Sequence, residues 1–373
     1  MGLPNTIPSP LSTLIPFITR EEAAELAYPP NALPGARDVD GFYGRMRVYE
    51  WGPEEGKKVL FVHGDATPCL IFSKIAQGMV DAGYRVMLFD LWGRGYSDTP
   101  LECRHDDRLF ASQISSVLLS SPISWTGNGN TFSIVAFSLG GPIAMTFANA
   151  FSSSIQSVVL LGPAGMMRKL PKGYDIPTLL DAGIASSNEE RYENVREILG
   201  VSPKSTILDV QREKQEDPGV EECPDRVEKT YDMQEILQWQ FDYHQGHVHS
   251  FQDTMRYGPL MNQEETWARF CNILSGHRCP ESPLFNTRLL LIFGEDDDIV
   301  VGKELLHDLE VYMAPDKMEA EYVPGGHGFP YPNSEKITQI ILSFWGSKAS
   351  KSKATATTLP NDLSKSENII KDS

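Results

Sequence analysis

TFSIVAFSLGGPIAMTFANA, residues 131–150, is the stretch on which the fold turns. Residues 131–137 form a short run rich in apolar and β-branched side chains, the composition of a buried strand. Residues 139–150 are mostly small and helical in spacing. Between them, Ala136-Phe137-Ser138-Leu139-Gly140 brings a serine to the tip of a strand–turn–helix junction. Such a turn is crowded, so the positions two before and two after the serine must be small, and Ala136 and Gly140 meet that demand. Ser138 would then stand at a helix start, where the partial positive charge of the backbone favours a developing anion. The pattern small-x-Ser-x-Gly also occurs by chance, and an ordinary N-cap serine would read the same way. The preceding strand, the following glycines and the partners below tip the reading towards a nucleophile.

Comparable buried runs lie at 57–63 (KKVLFVH), 85–90 (RVMLFD) and 156–161 (QSVVLL), and again at 287–293 (TRLLLIF) and 318–323. Helical spacing separates them at 70–82, 106–120, 302–314 and 334–345. This alternation implies an α/β fold: a mostly parallel central sheet with helices on both faces. Residues 1–40, rich in Pro and helical only around 19–27, read as an arm. Residues 41–164, opening with a strand or hairpin at 41–51, read as the first part of the core. Residues 165–285 hold 21 acidic and 13 basic residues and no buried strand run. With amphipathic stretches at 188–199 and 226–241, they read as a mainly helical cap. Residues 286–346 complete the core, and the Ser/Thr/Lys-rich residues 347–373 read as a disordered tail.

Composition narrows the function. The 373 residues carry 33 Lys+Arg against 50 Asp+Glu, a net charge of −17, which is a poor match for a phosphate backbone, so nucleic-acid binding is not expected. The 41% hydrophobic share can fill a sizeable core. The cysteines, Cys69, Cys103, Cys223, Cys271 and Cys279, are scattered and form no CxxC pair, which suggests reduced thiols and a cytoplasmic location. Prolines break the N-terminal stretch before any long apolar run, so no signal peptide is expected. No apolar run of membrane-spanning length occurs, so no transmembrane segment is expected. The opening Met1-Gly2 is only a weak match to a myristoylation signal.

A serine hydroxyl is a weak nucleophile and needs a base, which in turn needs a group to hold its tautomer. Gly294-Glu295-Asp296-Asp297-Asp298 follows the next-to-last strand, and Gly325-Gly326-His327-Gly328 follows the last. Both lie at carboxyl ends of parallel strands, where an open α/β sheet places its site. His327 is the expected base, its glycine neighbours allowing other loops to approach. Asp297 is the expected orienter and Asp298 the alternative. His63-Gly64-Asp65-Ala66-Thr67-Pro68 follows the first parallel strand. Its Asp65 amide and the Leu139 amide are the expected oxyanion donors. The Asp65 carboxylate would oppose an oxyanion, so it is expected to turn away and bond backbone or a cap residue, while His63 supports the turn. Asp90-Leu91-Trp92-Gly93-Arg94-Gly95-Tyr96-Ser97 reads as a tight structural turn, since no phosphate-loop pattern is present.

Taken together, HGDATP, DLWGRGYS, AFSLGG, FGEDDD and GGHG, spread in order over residues 60–330, resemble the α/β-hydrolase superfamily in its cap-bearing branch, with a looser likeness to fungal hydrolases. The resemblance implies the α/β-hydrolase fold, with Ser138 as nucleophile, His327 as base, Asp297 as orienter, and the amides of Asp65 and Leu139 as oxyanion hole. A serine hydrolase of this kind needs no metal and no organic cofactor, and none is expected. Serine at the turn departs from the dehalogenases and epoxide hydrolases of that branch, which carry aspartate there. The expected substrate is a small to medium apolar carboxylic ester or lactone. Carbon–carbon hydrolysis of a ketone, acyl transfer or cyclisation, and a non-catalytic receptor are the alternatives.

Weaker signals remain. His244, His247 and His249 lie close in sequence, but without a zinc-type pattern they read as a polar loop or pocket rim rather than a metal site. Trp239, Phe241, Tyr243 and Phe251 could line a pocket or simply pack. Met166 and Met167 stand where cap would meet core, as an adaptable apolar lining.

Overall fold

The computed structural model describes residues 5–170, 177–181, 187–202, 224–227 and 229–356. Met1-Gly2 and Cys223 lie outside the described residues, as does most of the expected tail. The strands are β1 (Thr6–Ile7), β2 (Ala36–Gly41), β3 (Gly44–Trp51), β4 (Lys58–Val62), β5 (Arg85–Phe89), β6 (Thr99–Pro100), β7 (Phe132–Phe137), β8 (Ile155–Leu161), β9 (Leu289–Gly294) and β10 (Met318–Val323). The helices are α1 (Pro10–Thr13), α2 (Arg20–Ala24), α3 (Ser73–Asp81), α4 (Asp107–Leu119), α5 (Gly140–Phe151) and α6 (Pro177–Leu180). They continue with α7 (Asn188–Leu199), α8 (Met233–Tyr243), α9 (His247–Tyr257), α10 (Glu264–Leu274), α11 (Gly302–Leu309) and α12 (Ser334–Ala356).

Eight strands form one sheet in the order β10-β9-β8-β7-β4-β5-β3-β2. From β10 to β5 every adjacent pair is parallel. The β2–β3 hairpin adds two antiparallel strands at one edge. Parallel strands buried on both faces need apolar residues in both alternations. In β4, Leu60 and Val62 feed one core cluster, and Val59 and Phe61 feed the other. One face is covered by α4, α5 and α10 and the other by α3 and α12. The expected alternation is therefore present, with its helices on both sides.

Local differences have local causes. The helix expected over 226–241 starts at Met233, because the Asp232 side chain accepts hydrogen bonds from the Gln234 and Glu235 amides and caps it there. The helix expected over 302–314 stops at Leu309, whose carbonyl is then taken by the Tyr312 and Met313 amides at 2.9 and 3.0 Å. The last helix runs on to Ala356, ten residues past the expected boundary at 346, and residues 357–373 lie outside the described residues. Within 165–285, α10 buries Trp267, Phe270 and Leu274 in the sheet's own helical layer against α5.

The N-terminal arm is tied into the core. The Tyr28 hydroxyl donates to Asp90 Oδ2 at 2.9 Å and accepts from the Tyr49 hydroxyl at 3.0 Å. The Ser9 amide donates to Asp98 at 2.8 Å. Asp90 is fully buried, and that burial pushes its carboxyl above the usual range. Three donors hold it: the Cys69 and Tyr96 amides and the Tyr28 hydroxyl. A Cβ on Gly95, which has φ +53°, would meet Asp90 Oδ2 at 2.1 Å, so this turn admits no larger residue. The 90–97 turn is thus a tight backbone turn, as its glycines suggested.

Candidate active site

Four segments meet at the carboxyl edge of the sheet: the loop after β4, the turn after β7, and the loops after β9 and β10. Ser138 follows β7 directly and has φ 52°, a left-handed conformation that costs a non-glycine residue about 1–3 kcal/mol and persists where the surroundings over-determine it. Here the turn is pinned by three backbone bonds: the Ser138 amide donates to Leu161 O at 3.0 Å, and the Ser138 carbonyl accepts from Gly141 and Ala164 at 2.9 and 3.0 Å. A Cβ at Gly140 would lie 2.2 Å from the Val62 carbonyl oxygen. This close pass of α5 over β4 is why a glycine stands two residues after the serine.

Ser138 Oγ lies 2.8 Å from His327 Nε2, and His327 Nδ1 lies 2.8 Å from Asp297 Oδ2. A carboxylate only accepts, so Nδ1 carries the proton and donates to Asp297. That leaves Nε2 with the lone pair that accepts the Ser138 hydroxyl. The Asp297 side chain is inaccessible to solvent, and its Oδ1 accepts from the Ile299 and Val300 amides at 3.0 and 2.9 Å. Asp298, the alternative, is exposed, as are Glu295 and Asp296. His327 is braced by Phe137, ring centroids 4.9 Å apart.

The Asp65 and Leu139 amides make no hydrogen bond within the described residues, and both residues adjoin the serine turn. The Asp65 side chain turns to a partner other than the expected backbone or cap residue. Its Oδ1 is held by the Arg94 guanidinium, which is itself fully buried. Burial raises the Asp65 carboxyl pKa and the Arg94 charge pulls against that rise. Arg94 is the residue that sequence reasoning missed: nothing in DLWGRGYS marks the arginine as reaching a loop 29 positions away. His63 is buried and supports the turn as expected, Nδ1 bonding the Gly64 carbonyl and Nε2 accepting from the Leu91 amide, both at 2.8 Å. Burial lowers its pKa to about 3.

The serine opens into a cavity of about 190 Å³. Its wall is mainly apolar: Ile71, Phe137, Met167, Phe251, Met255, Leu260 and Ile299, with Asp65, Ser138 and His327 also in the lining. Met167 and Phe251 are therefore in the lining, while Met166 is not among its residues. Trp239 packs edge-on to Tyr28 and Tyr96 instead, and Phe241 joins Val195 and Val248 in a separate apolar cluster. His244 and His247 are buried rather than at a rim. His244 Nε2 bonds the Ser97 carbonyl at 2.9 Å and His247 Nδ1 the Gly93 carbonyl at 3.1 Å, tying the α8–α9 corner to the 90–97 turn. No group of three or more His, Cys, Asp or Glu suited to a metal ion occurs among the described residues.

With sheet and site in view, the chain belongs to the alpha/beta hydrolase fold family, whose model matches residues 57–333. Among curated proteins it is similar to a serine hydrolase-like protein of Danio rerio, 27% identical over 172 residues, covering 43% of this chain and 50% of the relative. A serine hydrolase-like protein of Dictyostelium discoideum is 29% identical over 122 residues, 32% of each chain. The matched stretches thus span half or less of these relatives' length. Among solved structures, a carboxylesterase from Bacillus subtilis superposes with TM-score 0.59 at 14% identity, covering 90% of this chain and 97% of its own. A meta-cleavage product hydrolase from Pseudomonas fluorescens superposes with TM-score 0.55 at 17% identity, covering 84% and 98%. At these identities the likeness is one of fold.

Proposed function

We propose that this chain is a serine hydrolase that cleaves a carboxylic ester or lactone of a small to medium apolar substrate. The observation that carries the reading is the hydrogen-bonded series Ser138–His327–Asp297, with 2.8 Å at each step. Ser138 Oγ attacks the carbonyl carbon while His327 Nε2 takes its proton. The oxyanion is met by the free amides of Asp65 and Leu139, the latter at the start of α5. Collapse of the tetrahedral intermediate returns the proton from His327 to the leaving alcohol, or to the alkoxide end of an opened lactone. Water, deprotonated by the same imidazole, then hydrolyses the acyl-serine and releases the acid. Asp297 holds the imidazole in the tautomer this requires and offsets its positive charge.

The apolar wall of the cavity favours an apolar acyl group, and its 190 Å³ favours a compact one. Helices α8 and α9 form the cap over this site, with Phe251 and Met255 of α9 lining its cavity, while α10 belongs to the sheet's own layer. Cys69, Cys103, Cys271 and Cys279 carry free thiols, which suits the proposed cytoplasmic location. No helix among the described residues is long and apolar enough to cross a membrane.

The test is labelling with a fluorophosphonate and turnover of p-nitrophenyl esters. The wild type is labelled, and Ser138→Ala loses both labelling and turnover. Wild-type ester hydrolysis by Ser138→Ala would dispose of the assignment.

A further inference from the structure

Arg94 is among the largest side chains with no exposed surface, and burying an unneutralised guanidinium is costly. Its five N–H donors each have an acceptor. Nε donates to the Asp65 carbonyl at 3.0 Å and Nη2 to Asp65 Oδ1, so two bonds hold one residue of the β4 loop. Nη1 donates to the Trp92 carbonyl at 2.8 Å within its own turn. The remaining two reach α9: Nη1 to Ser250 Oγ, and Nη2 to Thr254 Oγ1 at 3.0 Å.

Ser250 and Thr254 stand one helical turn apart, on one face of α9. Phe251 and Met255 each follow by one position, and these two line the cavity. The same short helix therefore grips Arg94 with one face and offers an apolar wall to the acyl group with the next. A second tether runs in parallel from α8, where Gln240 donates to the Ala66 carbonyl at 2.9 Å and accepts from the Gly95 amide at 2.8 Å.

We infer that Arg94 is a positioning residue that makes the loop bearing the Asp65 amide and the pocket helix α9 one body. Contact of an acyl chain with Phe251 and Met255 is then expressed at the oxyanion amide, as a gain in kcat rather than in binding alone. The inference rests on the proposed hydrolase reading and adds to it a determinant of acyl-chain selectivity. A purely structural arginine would affect every substrate alike; a coupling arginine makes the loss depend on what fills the pocket.

The experiment measures kcat and KM for p-nitrophenyl acetate, butanoate and hexanoate in the wild type, Thr254→Val, Ser250→Ala and the double variant. Thr254→Val is nearly isosteric and leaves both Arg94–Asp65 bonds in place. In the wild type kcat rises about tenfold from acetate to the best-fitting chain, near the share expected for burying two methylenes. In the double variant that rise falls to about twofold or less, while KM still falls with chain length. An equal drop in kcat for all three esters, or an unchanged chain-length profile, overturns the inference while leaving the hydrolase reading intact. A wild type that neither labels with fluorophosphonate nor turns over any ester overturns that reading instead.

Discussion

Four buried histidines make the protein's stability depend steeply on pH in mild acid. Burial lowers the pKa of His63, His105 and His247 to about 3 and that of His244 to about 4. In the unfolded chain each imidazole takes up its proton near pH 6.5. Between these values the unfolded state binds more protons than the native one, so stability falls as pH falls and is recovered as pH rises. From pH 7 to pH 5 the loss is about 2 kcal/mol per histidine, about 8 kcal/mol for the four, against a typical total of about 5–15 kcal/mol. Asp65 and Asp90 act the other way. Their carboxyls are raised by burial, so the native state gains protons in acid and recovers part of the loss. The net expectation is a urea midpoint, read by tryptophan fluorescence, that drops sharply between pH 6.5 and pH 5. Burial also lowers the His249 pKa, so His244→Gln removes one of five such groups and should reduce the slope by about a fifth. A midpoint that stays constant or rises from pH 7 to pH 5 would show that these imidazoles are not held neutral in the folded protein.

Asp297→Asn keeps the shape of the site but disfavours the tautomer that leaves Nε2 free, so kcat for p-nitrophenyl esters should fall about 10⁴-fold. Asp298→Asn, at an exposed position, should stay within about twofold. Gly140→Ala forces a methyl against the Val62 carbonyl, a backbone atom that cannot rotate away, and should cost about 1–3 kcal/mol by calorimetry. Tyr28→Phe removes one donor from Asp90 and the nearer of two acceptors of the Tyr49 hydroxyl, and should lower stability by about 1–3 kcal/mol in urea titrations.

The parts of this molecule legible in its sequence are those set by local patterns. Strands β4, β5, β7, β8 and β9 announce themselves because a parallel strand covered on both faces is a nearly continuous apolar run. The serine turn is readable because its crowding dictates small neighbours. Local pattern favours Asp297 over Asp298 without separating the two, and in the structure the buried Asp297 accepts two amides of its own loop besides the imidazole. Arg94 was not readable, since its partners lie 29, 156 and 160 positions away and no spacing rule links them. Nor was α9, whose sequence HVHSFQDTMRY places polar residues on the faces that bond the 90–97 turn. A helix wedged between a polar hub and an apolar cavity carries no clean stripe. The histidine trio reads as a polar loop or pocket rim for the same reason: His244 and His247 each bond one carbonyl more than 140 residues distant in the chain.

The backbone at Ser138 carries a wider implication. A residue held at φ 52° would relax if its Cβ were removed, so glycine there should make the molecule sturdier by about 1 kcal/mol while abolishing chemistry. Folding alone gives this chain no reason to retain serine at that tip. If Ser138 is the nucleophile proposed above, a lineage released from the demand for turnover would shed the hydroxyl early and keep the architecture around it, and the side chain at this position would mark which related chains retain the chemistry.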